Sequence, residues 1–221
     1  MLGDVPYELG PVEQRVLGAL IEKDLATPEY YPLSLNALTN ACNQKTNRDP
    51  VAAYEDATVH GALEALRGLG LAVFVSEAGS RVTKFRHRLS DALNLSSAEL
   101  ALLAVLLLRG PQTVGELRGR TSNLHSFADL DTVQHALNKL ASREPEPLAA
   151  QMSRAPGATD PRCRHLFAPP PETPASVSVP AAAAPPGLRE RVEELEGETR
   201  RLQEQVEALR KDLDELRSAL L

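Results

Sequence analysis

Three polar clusters carry the chemistry open to this chain. The first is NQKTNRDP, residues 43–50, where Lys45, Asn47 and Arg48 offer two cations and an amide in close succession. Such groups neutralise and position a phosphate backbone. The second is SRVTKFRHR, residues 80–88, where Arg81, Lys84, Arg86 and Arg88 make the densest basic run before residue 170. The third is TVQHALNKL, residues 132–140, whose polar face carries Gln134, His135, Asn138 and Lys139. Gln and Asn can each bond an adenine edge in two places, and Lys can reach guanine. A near copy, TVHGALEAL at residues 58–66, presents His60, Gly61 and Glu64, followed by Arg67. Glu64 would repel phosphate, so the second copy is the better reader of bases.

Each cluster has a structural alternative. NQKTNRDP also suits a turn in which Asn and Asp cap helices and Arg48 pairs with a carboxylate. The basic run also suits a solvated edge strand, where cations block edge-to-edge aggregation. The polar faces also suit plain contact with water, and Asp129 and Asp131 stand at a helix start where phosphate would otherwise sit. Other chemistries fare worse. Cys163 and His165 are two apart with no second pair at ligand spacing, and His60, His87, His125 and His135 are scattered, so no metal is expected. No nucleophile, base and orienting acid form a recognisable set, and no Gly-rich phosphate loop occurs. The chain is expected to be neither an enzyme nor a cofactor carrier.

The elements that position these clusters follow from apolar period and caps. PVEQRVLGALIEKDL puts Val12, Val16, Leu17, Leu20 and Ile21 on one helical face, with Pro11 in the first turn. Ser34 caps a short second helix carrying Leu35 and Leu38. Asp49-Pro50 reads as a cap and first helical position. The nonapeptide helix buries Val59, Leu63 and Leu66 and stops at Gly68 or Gly70. LAVFV and RVTKFRH then form a hairpin. The pattern restarts: Ser96 and Glu99 make a capping box for AELALLAVLLLRG, and Thr113 caps VGELRGR. The second nonapeptide buries Val133, Leu137 and Leu140, and PLAAQM returning as RCRHLF makes a second hairpin. The register between copies falls from 86 to 79 to 74 residues, so LATPEYYP and NQKTNRDP are inserts of the first copy.

The expected fold is therefore mainly α with small β-hairpin wings: two tandem winged helix-turn-helix domains, residues 9–90 and 94–168. Residues 169–187, rich in Pro and Ala, make a semi-rigid linker that cannot build a core. Beyond it Leu188, Leu195, Leu202, Leu209 and Leu216 recur every seven residues, with Val192, Thr199, Val206, Leu213 and Leu220 between them. That seam predicts a coiled-coil helix over residues 188–221 and a homodimer. The dimerising side chains are Leu188, Val192, Leu195, Leu202, Val206, Leu209, Leu213 and Leu216. A solvated helix docking on its own domains is the alternative.

Net charge is −6, split as −2 over residues 1–90, zero over 91–170 and −4 beyond. No segment is globally basic, which counts against strong non-specific nucleic-acid binding but leaves room for a local basic patch. No apolar run spans a bilayer, the first residues lack a signal pattern, and two cysteines suit a reducing compartment. A cytoplasmic protein is expected.

EYYPLSLNALTNACNQKTNRDPV and RGPQTVGELRGRTSNLHSFADLD resemble the YceH-like family of uncharacterised bacterial proteins. The resemblance covers about residues 9–168. It implies two tandem winged helices, often with a C-terminal heptad helix, and no established activity. MSRAPG departs from the LPR-x-PG form of that family at the second hairpin. The expected function is DNA binding, by a transcription regulator or chromosome-associated factor. The other expectation is a non-enzymatic protein-interaction adaptor. No membrane partner is expected.

Overall fold

Helix α1, Pro11–Ala26, is buried all round for two of its turns: Arg15, Gly18, Ala19 and Glu22 are as enclosed as Val16, Leu17, Leu20 and Ile21. A helix so enclosed needs neighbours on both sides. They are visible in the structure, a computed structural model that describes residues 7–75, 82–154 and 159–168. On one side lie α2 (Leu35–Cys42) and α3 (Asp56–Gly68); on the other lies α5 (Ser97–Arg109). Gly18 permits that approach, since a Cβ there would stand 2.9 Å from Leu108 Cγ and 3.0 Å from Leu107 Cβ. Helix α5 is itself buried from Glu99 to Leu108, and the buried side chains of both copies form one continuous cluster.

The described chain is mainly helical, with two small antiparallel sheets. The first joins β2 (Ala72–Val75) and β3 (Lys84–His87), with β1 (Leu33–Ser34) on the far side of β3, so that Phe85 lies between Phe74 and Leu33. The second joins β4 (Ala149–Gln151) to β5 (Cys163–His165). Gln112 adds a bridge to Cys163, its N–H donating to the Cys163 carbonyl at 3.0 Å and its carbonyl accepting from Cys163 N–H at 2.7 Å. Leu33 and Gln112 occupy equivalent places in the two copies, each one residue before a helix cap. This strand-like contact was not evident from the amino-acid pattern.

The caps form where the side chains suggest. Ser34 Oγ accepts from Ala37 N–H. Ser96 with Glu99 starts α5, and Thr113 with Glu116 starts α6 (Val114–Arg120); both are reciprocal capping boxes. Asp129 and Thr132 do the same for α7 (Leu130–Ala141). Val59, Leu63 and Leu66 of α3, and Val133, Leu137 and Leu140 of α7, are buried as their spacing predicts. A short helix, α4 (Leu89–Leu93), links the copies and ends on Asn94 in the left-handed region at φ 48°.

One local expectation fails. Asp49-Pro50 does not begin a helix; α3 starts at Asp56 after Glu55. Residues 47–50 are drawn across α1 instead, because Asp49 N–H donates to the Leu108 carbonyl at 3.0 Å and Arg15 Nη2 donates to the Pro50 carbonyl at 2.5 Å. The chain turns back only where Asn43 and Tyr54 exchange two 2.8 Å hydrogen bonds.

Candidate nucleic-acid interface

The first polar cluster separates on folding. Lys45 and Asn47 are exposed, but Arg48 is 5% exposed. Arg48 Nη1 and Nη2 donate to the two carboxylate oxygens of Glu22 at 3.0 and 2.6 Å. Its Nε and Nη2 also reach the Ala41 carbonyl at 3.1 and 2.8 Å. Arg15 Nη1 takes the neighbouring Cys42 carbonyl at 3.1 Å. The last carbonyls of a helix have no partner within it and carry its negative dipole end, so two guanidiniums there satisfy α2. Arg48 is therefore a structural cation and not a phosphate contact. Burying Arg15 lowers its pKa from the usual guanidinium value. Asn47 sits in the left-handed region at φ 57°, and its Oδ1 accepts from Arg109 Nη1 of α5 at 2.9 Å. The insert thus ties the first copy to the second.

In the second cluster Arg81 lies outside the described residues. Lys84 and Arg86 stand on β3, facing the same side of the hairpin, while the alternating Phe85 and His87 are buried. Arg86 meets Asp91 at 3.5 Å with both groups about half exposed, a pairing that water and salt readily loosen. His87 anchors the hairpin. Its Nε2 lies 3.0 Å from Asp24 Oδ2, its Nδ1 accepts from Leu89 N–H at 3.2 Å, and its backbone N–H donates to Tyr31 Oη at 2.7 Å. Burial pushes the Tyr31 hydroxyl pKa up.

The two nonapeptide helices present different faces. On α3, Arg67 pairs with Glu64 at 2.6 Å and lies 4.5 Å over the Phe74 ring, which also borders His60. That face is engaged with its own hairpin. On α7, His135, Asn138 and Lys139 are exposed and Gln134 is half-buried; Gln134 Nε2 donates to Asn138 Oδ1 at 2.9 Å. Gln151 of β4 joins them at the rim of a hollow of about 40 Å3 between α7 and the hairpin. Gln151 escaped sequence reasoning because only the register of β4 brings it to α7. The hydrogen bond from Thr132 N–H to the Asp129 carboxylate lowers its pKa, so it stays charged at the start of α7.

Neither thiol is poised for chemistry. Burial pushes Cys42 up to about 12 and raises Cys163 as well. His165 is lowered to about 4 by burial and then by Arg164, and its Nδ1 has no hydrogen-bond partner among the described residues. Among the described residues no three His, Cys, Asp or Glu side chains gather to hold a metal. Likewise, no helix among them is long and apolar enough to cross a membrane. The linker and the heptad residues Leu188 to Leu216 lie outside the described residues.

Fold and surface together define a mainly helical, internally repeated protein with a small sheet in each copy and an exposed polar face on α7. Comparison with known proteins places it further. Residues 9–158 match a family described as protein of unknown function, DUF480. A UPF0502 protein of Geobacter sulfurreducens is 53% identical over 178 residues, covering 80% of this chain and 78% of the relative. UPF0502 proteins of Geotalea uraniireducens and of a Shewanella species are 49% and 44% identical, each over at least 95% of both chains. The chain belongs to this DUF480/UPF0502 family of bacterial proteins, in agreement with the resemblance drawn from its motifs.

Proposed function

We propose that the chain is a non-enzymatic, cytoplasmic DNA-binding protein built on two tandem winged helix-turn-helix units, a transcription regulator or chromosome-associated factor. The order of three helices and a hairpin, written twice, supports the fold assignment. The observation that carries the function is the outward face of α7, where Gln134, His135, Asn138 and Lys139 remain accessible beside a hairpin. These side chains suit base edges, while Lys84 and Arg86 of the first hairpin, with Arg81, suit phosphates. Lys45 adds an exposed cation; Arg48 adds none. The heptad seam supports a homodimer that would present two such surfaces.

Binding of duplex DNA by the full chain, measured across salt concentrations, tests the proposal. Affinity is expected to fall steeply as salt rises, and replacing Arg81, Lys84 and Arg86 by Ala should flatten the slope by up to about three units. Removing residues 188–221 should convert a dimer to a monomer in light scattering. A protein-interaction adaptor is the second function, favoured by a groove between α6 and α7. Gly115, Gly119 and Phe127 line it, with Leu130 nearly half exposed at its edge. Contact through that groove would show little dependence on salt.

A further inference from the structure

We infer that the α7 surface selects an adenine–thymine base pair; this rests on the DNA-binding function proposed above. The hydrogen bond between Gln134 and Asn138 uses one amide N–H and one carbonyl oxygen, so the pair presents one wholly free carbonyl oxygen beside free amide N–H groups. With Gln134 as donor, Gln134 Oε1 remains as acceptor, and Asn138 Nδ2 and the second N–H of Gln134 Nε2 remain as donors. Exchanging the amide orientations reverses the roles but again leaves a free carbonyl oxygen beside free N–H groups. In the major groove adenine offers an acceptor, N7, beside a donor, the N6 amino group. It complements such a pair at both points. Guanine offers two acceptors, so it would leave the free carbonyl oxygen of the pair without a donor. Cytosine offers a donor alone.

The surroundings favour the same base pair. The hollow of about 40 Å3 beside the two amides is walled by Leu137, Ala141, Ala149 and Ala150. Those apolar walls suit the thymine methyl group that adenine brings with its partner. Gln151 at the rim supplies a further amide. The charges set the docking direction. Asp129 and Asp131 hold phosphate away from the start of α7, so the DNA backbone passes its C-terminal half, beside Lys139. In the first copy His60 and Glu64 replace Gln134 and Asn138, and Glu64 is tied to Arg67. Only the second copy carries the matched donor and acceptor.

The test is a binding selection by the full chain from duplexes with a randomised core, at about 50 mM salt, where phosphate contacts are strong. Selected duplexes are then remade with 7-deazaadenine, which lacks the N7 acceptor, or with uracil, which lacks the thymine methyl. A fixed adenine–thymine pair is expected, with affinity falling about tenfold on 7-deazaadenine and a few-fold on uracil. Gln134→Ala with Asn138→Ala should erase that preference, with an unchanged melting temperature. Binding without base preference, selection of guanine–cytosine, or a preference that survives the double substitution would overturn this inference and leave DNA binding standing. Absence of binding to any duplex would overturn the proposed function and this inference with it.

Discussion

Replacing Arg48 by Ala should unfold the protein far more readily than any other change in its exposed-looking segment. The side chain neutralises Glu22, which is 6% exposed and has Lys23 Nζ as its other cation at 3.5 Å. Removing one member of a buried, bidentate pair leaves an uncompensated charge, at a cost of about 3–5 kcal/mol. The Ala41 carbonyl and Gln44 Oε1 lose donors too, which places the expected loss towards the upper end of that range. Lys45→Ala, three residues away and exposed, should stay within about 0.5 kcal/mol. Urea denaturation followed by circular dichroism measures both. The double change Glu22→Leu with Arg48→Met removes both charges and should recover most of the loss, since apolar replacements of a buried pair are often near neutral. A loss below about 1 kcal/mol for Arg48→Ala would refute the assignment. So would strict additivity of the Glu22 and Arg48 single changes, because coupled partners cannot add.

Leu63→Ala and Leu137→Ala should each cost about 2–5 kcal/mol in thermal melts, because both side chains are buried in the shared cluster and leave cavities. Gly18→Ala should destabilise by about 1 kcal/mol: overpacking against Leu107 and Leu108 costs about 1–3 kcal/mol, and the helical preference for Ala returns up to about 1. A stabilised Gly18→Ala variant would mean that α1 and α5 separate freely. His165 has its folded pKa lowered to about 4 from 6.5, so the unfolded chain takes up its proton first as pH falls. Stability from this group is complete above pH 6.5 and declines down to about pH 4, by on the order of 3 kcal/mol. A His165→Phe variant compared by denaturation between pH 7 and pH 4 should lack that part of the decline.

Much of the molecule was legible in the amino-acid pattern because the forces involved act over a few residues. Helix caps at Ser34, Ser96 and Thr113, the inward positions of both nonapeptides, and the strands around Phe74 and Phe85 all depend on near neighbours. The doubling of the pattern followed from the same signals. What only the tertiary structure decided involves groups far apart in the chain. Val12 to Ile21 read as one apolar face, yet α1 is enclosed on every side because α5, some ninety residues later, covers the other. Arg48 looks like a surface cation in NQKTNRDP. It is buried because Glu22 of α1 pairs with it, and because the C-terminal carbonyls of α2 need donors. Gln151 reaches Gln134 and Asn138 only through the register of β4. Apolar period and capping are local and survive in a one-dimensional reading. The pairing of a charge or an amide depends on where the chain returns, and packing alone determines that.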